Sequence, residues 1–292
     1  MKNKTSKYIA SIVIFLLFLT LFLYVNFPTD VLKRRVIAEI ESNSGFKAEM
    51  EDLNISPFVV MNLKKLKLTN EQDEIEILID RLKISPSLIS LLMENNRIPF
   101  YAQLGEGKIE GTIVYSGNTQ RLNSFKTKLK NVNSRIVNSL LKNKKGIPQF
   151  DGEVSGEVDI RFLKNGVEDA SGMFNLYSEN FSISRIKIEN FPLPDYKGLK
   201  AALEGKIEKN KTHLGKLQLE NNDFNLILDG TMPLPWKMRG GMLDLSVNLV
   251  LNSNEAKIGF LQTFMKKKND GSLTAKIEGP FSKPQFIKGE TL

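Results

Sequence analysis

The hydrophobic positions change rhythm along the chain. Ile9 to Val25 carries no charge and only Ser11 and Thr20 as mild polar interruptions. Counted from Tyr8 to Phe27, the run has about 20 residues, enough to cross a hydrocarbon core of roughly 30 Å as a helix. Next comes PTDVLKRRVIAEIESNSG, in which Val31, Leu32, Val36, Ile37 and Ile40 share one broad helical face. Thr29 or Asp30 is the expected cap, and Gly45 the left-handed stop. From Phe46 the period becomes two, as in Ile98/Phe100/Ala102/Leu104, Val158/Ile160/Phe162 and Leu243/Leu245/Val247/Leu249. Each such run has a polar partner face, so about 12 to 15 half-buried, mainly antiparallel strands are expected.

Three stretches interrupt the alternation and read as short helices: residues 85–95 (SPSLISLLMEN), 131–146 (NVNSRIVNSLLKNKKG) and 254–268 (NEAKIGFLQTFMKKK). None resembles the long helix of a repeated βαβ crossover, which excludes a parallel α/β sheet. Glycine-bounded pairs such as GEGKIEGTIVYSG (105–117) and DGEVSGEVDIRF (151–162) suit a long sheet that must bend. A one-sided sheet of this kind closes into a barrel, folds into a sandwich, or leaves an apolar groove.

The expected organisation is a tail over residues 1–7, a membrane anchor over 8–27, an amphipathic helix over 28–45 and one β-rich domain over 46–292. The anchor is assigned to Tyr8, Ile9, Ile12, Phe15, Leu19, Phe22 and Tyr24, with the two tyrosines as interfacial brackets. Lys2, Lys4 and Lys7 would also suit a signal peptide. However, the apolar run is longer than such a segment needs, and no small-x-small cleavage site follows it. Lys33, Arg34 and Arg35 lie just past the anchor, where they can touch anionic headgroups or simply face solvent. Charge on the two sides nearly balances, and the short leading tail favours placing the β-rich domain outside the cytoplasm.

Composition excludes much of the rest. The 292 residues include 41 Lys+Arg against 33 Asp+Glu, a formal charge of +8, one His and no Cys. Thiol catalysis, disulfides and cysteine-ligated metals are therefore absent. His213 has no acidic or Cys neighbour at ligand spacing. The acidic run EQDEIEILID lacks the ordered ligands and central Gly of a calcium loop. There is no phosphate loop, nucleophile elbow or dinucleotide fingerprint, so no catalytic, cofactor or metal residues are assigned and an enzyme is not expected. The lysine clusters are not interleaved with aromatics, which argues against nucleic acid as a partner.

FPTDVLKRRVIAEIESNSGFKAEMEDLNISPFVVMNLKKLKLTN, followed by IEILIDRLKISPSLISLL, resembles the opening of the bacterial AsmA-like superfamily. GSLTAKIEGPFSKPQF resembles the Gly-Pro closing strand pair of those proteins, and LENNDFNLILDGTMPLPWKMRGGMLDLSVNLVL resembles the short branch called type II secretion system protein N. The resemblance implies a long curved antiparallel sheet in the periplasm, behind a single-pass inner-membrane anchor, with no cofactor. It further implies one of two roles. One is a scaffolding or assembly component of the type II secretion apparatus, whose partners are the other components. The other is a lipid-binding or lipid-transfer module, whose apolar groove takes acyl chains. For the second role the candidate groove residues are Ile160, Phe162, Leu226, Leu228, Leu245 and Val247.

Overall fold

The computed structural model describes residues 28–288 except 57–59, 71–74, 88–94, 118–120, 137–148, 164–165, 186, 189–190, 193, 209–210, 235–240, 253–264 and 281–282, together with the helical positions 14, 15, 18 and 22. The described residues are mainly β, with one large antiparallel sheet and one helix described end to end, α1 (Thr29–Ser44). Gly45 ends α1 in the left-handed region at φ 71°, as expected. The helix starts one residue earlier than the anticipated caps allow. Pro28 is the N-cap without a side-chain hydrogen bond, and Asp30 lies within the first turn, where its charge suits the helix dipole.

Leu32, Val36, Ile37 and Ile40 pack against a cluster of Ala48, Met50, Leu53, Leu63 and Leu66. Val31, expected on that face, is instead 55% exposed. The cluster is supplied by β1 (Lys47–Glu49), β2 (Asp52–Ile55) and β3 (Met61–Asn70), with Met50 in the link between β1 and β2. Two polar ties fix the helix there: Lys33 Nζ donates to the Glu51 carbonyl at 2.8 Å, and Ala48 N–H donates to the Glu41 carboxylate at 3.1 Å.

Past β3 the sheet is a meander. It runs through β4 (Ile75–Ile84), β5 (Asn95–Leu104), β6 (Gly107–Ser116), β7 (Leu122–Asn133), β9 (Glu153–Leu163) and β10 (Gly166–Ser184). It continues through β13 (Tyr196–Glu208), β14 (Lys211–Glu220), β15 (Phe224–Pro233), β16 (Met242–Leu251) and β18 (Leu273–Pro280). The short β8 (Gln149–Asp151) pairs with the far half of β10, while β17 (Lys266–Lys267) and β19 (Gln285–Lys288) share the outer edge of β18. Among the described residues the ladder comprises 17 strands, and β11 (Lys187–Ile188) and β12 (Phe191–Pro192) form a separate pair.

Among the described residues no ladder joins β3 to β18, and elements pack extensively only on hydrogen-bonded neighbours, apart from α1 on β1 and β2, while Leu234 after β15 reaches back to a cluster on β9, β10 and β13. Of the three expected arrangements, the described residues form neither a closed barrel nor a two-layer sandwich. They form a single open layer.

Three helical expectations need correction. Asn131 to Asn133 belong to β7, and Lys266 and Lys267 to β17, because each continues an inter-strand ladder that local helical periodicity does not reveal. Arg135 and Ile136 are helical as expected, whereas Asn95 opens β5 rather than closing a helix; the rest of the 131–146 and 254–268 stretches, and the centre of 85–95, lie almost wholly outside the described residues. So does most of the expected anchor, including Tyr8, Ile9, Ile12, Leu19 and Tyr24. Phe15 and Phe22 are helical and each is 64% exposed. Among the described residues no helix is long and apolar enough to cross a membrane, so nothing described supports the expected spanning helix.

Candidate apolar groove

Register turns the alternation of single strands into rungs that cross the whole sheet. One rung runs Leu53, Leu63, Leu82, Ala102, Ile109, Leu129, Gly156, Leu176, Leu203, Leu217, Leu228, Val247, Ala275, each residue paired with the next on the neighbouring strand. No charged side chain interrupts it. Two parallel rungs flank it in the centre of the sheet, Phe100–Gly111–Thr127–Val158 and Ile98–Ile113–Phe125–Ile160.

The apolar face is covered at both ends. Over β1 to β4 the cover is α1. Over β13 to β18 the side chains close on one another, with Leu199, Phe224, Leu249, Met265 and Leu273 in one cluster and Leu214, Leu243 and Leu245 in another. Leu234, just after β15, is fully buried against Ile160, Phe162 and Phe174.

Between these ends lies a floor formed by β5, β6, β7 and the near part of β9. Ile98, Phe100, Ile109, Ile113, Phe125, Leu129 and Val158 are only half-buried there and belong to none of the packed clusters. The floor is about 20 Å wide at ~4.8 Å per strand. Along the three rungs there is no ionisable residue, and the Thr127 hydroxyl is buried and donates to the Glu110 carbonyl at 3.0 Å. The next pair on the same face, Asn96 and Tyr115, is polar, and Asn96 is 5% exposed with its Oδ1 lacking a hydrogen-bond partner.

Two glycines shape this floor. At Gly111 a Cβ would collide with the Lys126 carbonyl and with the ring of Phe100. That vacancy lets Phe100 of β5 and Phe125 of β7 meet over β6, their rings stacked at 5.9 Å with a 14° interplanar angle. At Gly156, with φ 146°, a Cβ would run into the Asn175 carbonyl of the adjoining strand. Neighbouring backbone thus approaches where a side chain would otherwise stand.

No family model, curated protein or solved structure matches this chain.

All six groove residues expected from sequence lie on the apolar face, but they do not line one opening. Leu245 and Val247 are buried, and Leu226 and Leu228 pack into the closed end. Ile160 and Phe162 pack against the cluster of Ala170, Ile207 and Leu234 at the margin of the open floor. The residues that sequence reasoning passed over are Phe100, Ile109, Ile113, Phe125 and Leu129. Their alternation was visible, but which part of a continuous rung stays uncovered depends on α1 and on the far clusters. Of the three cations assigned to headgroups, Arg34 and Arg35 are exposed while Lys33 is committed to Glu51. His213 lies exposed on β14, across from Lys206 and Thr231. Among the described residues no group of three His, Asp or Glu side chains could hold a metal ion.

Proposed function

We propose that the β-rich domain is a non-enzymatic lipid-binding module, whose floor over β5 to β9 takes acyl chains while residues 8–27 hold it to a bacterial inner membrane from the periplasmic side. The observation that carries this reading is the run of half-buried apolar side chains over β5 to β9, which no packed cluster of the described residues covers and which ends in the polar pair Asn96 and Tyr115. Each methylene laid on such a surface gains about 0.8 kcal/mol, so an acyl chain is held without any specific polar contact. The layout shared with the AsmA-like superfamily supports the same reading. The assembly role in type II secretion rests on that resemblance alone.

Native mass spectrometry of the full chain, extracted in mild detergent from cells, tests the proposal. The expected spectrum shows lipid adducts that disappear in Ile113→Asp and persist in Ser246→Asp, which lies on the opposite face of β16. A clean apo mass, under conditions that keep adducts on a control lipid carrier, overturns it and favours the assembly role.

A further inference from the structure

The polar face of the same strands carries a stripe of cations that the sheet itself does not neutralise. Lys64 of β3 lies directly across from Arg81 of β4, and Arg81 across from Gln103 of β5. Gln103 pairs with Lys108 of β6, and Lys108 with Lys130 of β7. Like charges directly opposed across a ladder are destabilising, and this row contains two such pairs, Lys64/Arg81 and Lys108/Lys130. Lys64 has Asp52 at 3.2 Å as relief. Arg81, Lys83, Lys108 and Lys130 have no acidic side chain within ion-pair distance among the described residues.

The neighbouring row runs Lys83, Tyr101, Glu110, Lys128, Glu157 across β4 to β9. Here Lys128 is taken by Glu157 at 3.0 Å, and in the next row Lys126 by Asp159 at 3.5 Å. A cleft of about 820 Å³ runs along these rows, lined among others by Arg81, Lys83, Pro99, Tyr101, Lys126 and Lys128.

From this juxtaposition we propose that the polar face of β3 to β7 is a docking surface for an extended, acidic segment of a partner protein. Three features choose that occupant. The stripe is about 20 Å long at ~4.8 Å per strand, far more than one phosphate or one headgroup needs. Beside Arg81 and Lys83 the surface dips into a shallow cleft that an extended chain enters more closely than a planar bilayer, with Lys108 and Lys130 outside its lining. Glu110 and Glu157 stand among the cations and would repel a uniformly charged polyanion. A peptide that mixes carboxylates with neutral residues can place its charges opposite Arg81, Lys83, Lys108 and Lys130 and skip the two acids. Tyr101 and Pro99 supply apolar contact for the peptide's own side chains.

This surface lies on the opposite side of the sheet from the acyl floor and does not depend on it. The test uses the full chain in detergent and a fluorescein-labelled 12-residue peptide of alternating Glu and Ser, read by anisotropy at low salt. Saturable binding that weakens as salt is raised is expected. The double variant Arg81→Glu/Lys83→Glu should lose affinity by about tenfold or more, while Lys211→Glu, a cation on the same face outside the stripe, should bind as the parent does. All three positions are solvent-facing, and an unchanged thermal midpoint shows that each variant is folded. No binding at low salt overturns the proposal, as does equal affinity of the double variant and the parent. Tighter binding of a linear polyphosphate of matched charge reassigns the stripe to a phosphate polymer and overturns the peptide. Loss of binding to phosphatidylglycerol vesicles in the double variant, with peptide binding intact, overturns it in favour of a membrane surface.

Discussion

The ring of Phe100 occupies the space that a side chain at Gly111, its cross-strand partner, would need. The same arrangement recurs where the ring of Phe174 lies over Gly205. An aromatic on one strand fills the gap left by glycine on the next, so a bend in the sheet does not open a void.

Gly111→Ala should therefore destabilise the sheet by about 1–3 kcal/mol, the range for forcing a methyl into a packed site. Part of the collision is with the Lys126 backbone, which cannot rotate away. Gly215→Ala is the control, since its nearest neighbour is the Glu204 carbonyl at 3.6 Å. Urea unfolding followed by tryptophan fluorescence or circular dichroism separates the two. Equal midpoints for both variants would show that the glycine at 111 is not required by packing.

Strand existence and facing were legible in sequence because both follow from period two alone: the expected alternations at Ile98/Phe100/Ala102 and Leu243/Leu245/Val247 fall on the apolar face as anticipated. The helix over 28–45 was equally plain from its face and from Gly45. Where the open floor lies was not legible. Leu245 and Ile113 have the same local pattern, yet one is buried and the other half-exposed, because burial is decided by what folds over each rung. The cation stripe was also hidden. Lys108 and Lys130 are 22 positions apart, and only register brings them face to face.

The junction of helix and sheet gives a second prediction. Leu63 is 2% exposed and Leu66 is 3% exposed beneath α1. Truncating either to Ala leaves a cavity under a helix held by few other contacts and should cost about 2–5 kcal/mol. Val31→Ala, on the exposed side of the same helix, should change stability by less than about 0.5 kcal/mol. Chemical denaturation measures both. A Leu63→Ala midpoint indistinguishable from the parent would mean that α1 does not cap the sheet.

A buried hydroxyl offers a stabilising change. Thr212 is 3% exposed on the apolar face, between Ile207 and Met232, and its Oγ1 has no hydrogen-bond partner. An unpaired buried hydroxyl costs roughly 1–3 kcal/mol, and valine has the same shape without the polar atom. Thr212→Val should raise the unfolding free energy by about 1 kcal/mol, read as a shift in denaturant midpoint. A loss of stability would show that the hydroxyl has a partner.

Acid should weaken the fold through carboxylates tied to neighbours. A side-chain hydrogen bond from Arg135 and that guanidinium's charge hold the Asp151 carboxyl below its usual range, against a smaller opposing effect of burial. Glu157 is lowered by Lys128, Glu51 by Lys65, and Asp270 by the hydroxyl and backbone N–H of Ser272. In each case the folded pKa lies below the unfolded one. The stabilisation is thus complete above the unfolded carboxylate range, near pH 4, and is lost as pH falls through the depressed folded values. The thermal midpoint should be level from pH 7 to about 5 and decline below about 4. All four sites are solvent-exposed, so added salt should shrink the effect. A midpoint unchanged down to pH 3 would show that these pairs contribute nothing.

The opposed lysines make the sharpest prediction, because stability and binding should move in opposite directions. Lys108 and Lys130 face each other across β6 and β7, with Lys128 two residues along the same strand face. Replacing Lys130 by Glu places an anion between two cations. It should raise stability by roughly 0.2–1 kcal/mol, the scale of a cross-strand charge pair. The same change removes a cation from the stripe and should weaken the acidic peptide severalfold. A surface shaped only by folding has no reason to keep a repulsive pair that one substitution converts into an attractive one. Lys130→Glu that gains stability and loses peptide affinity therefore marks the stripe as a surface kept for binding. A variant that loses stability would mean that the repulsion is already relieved within the fold, and the stripe would then be an ordinary solvated face.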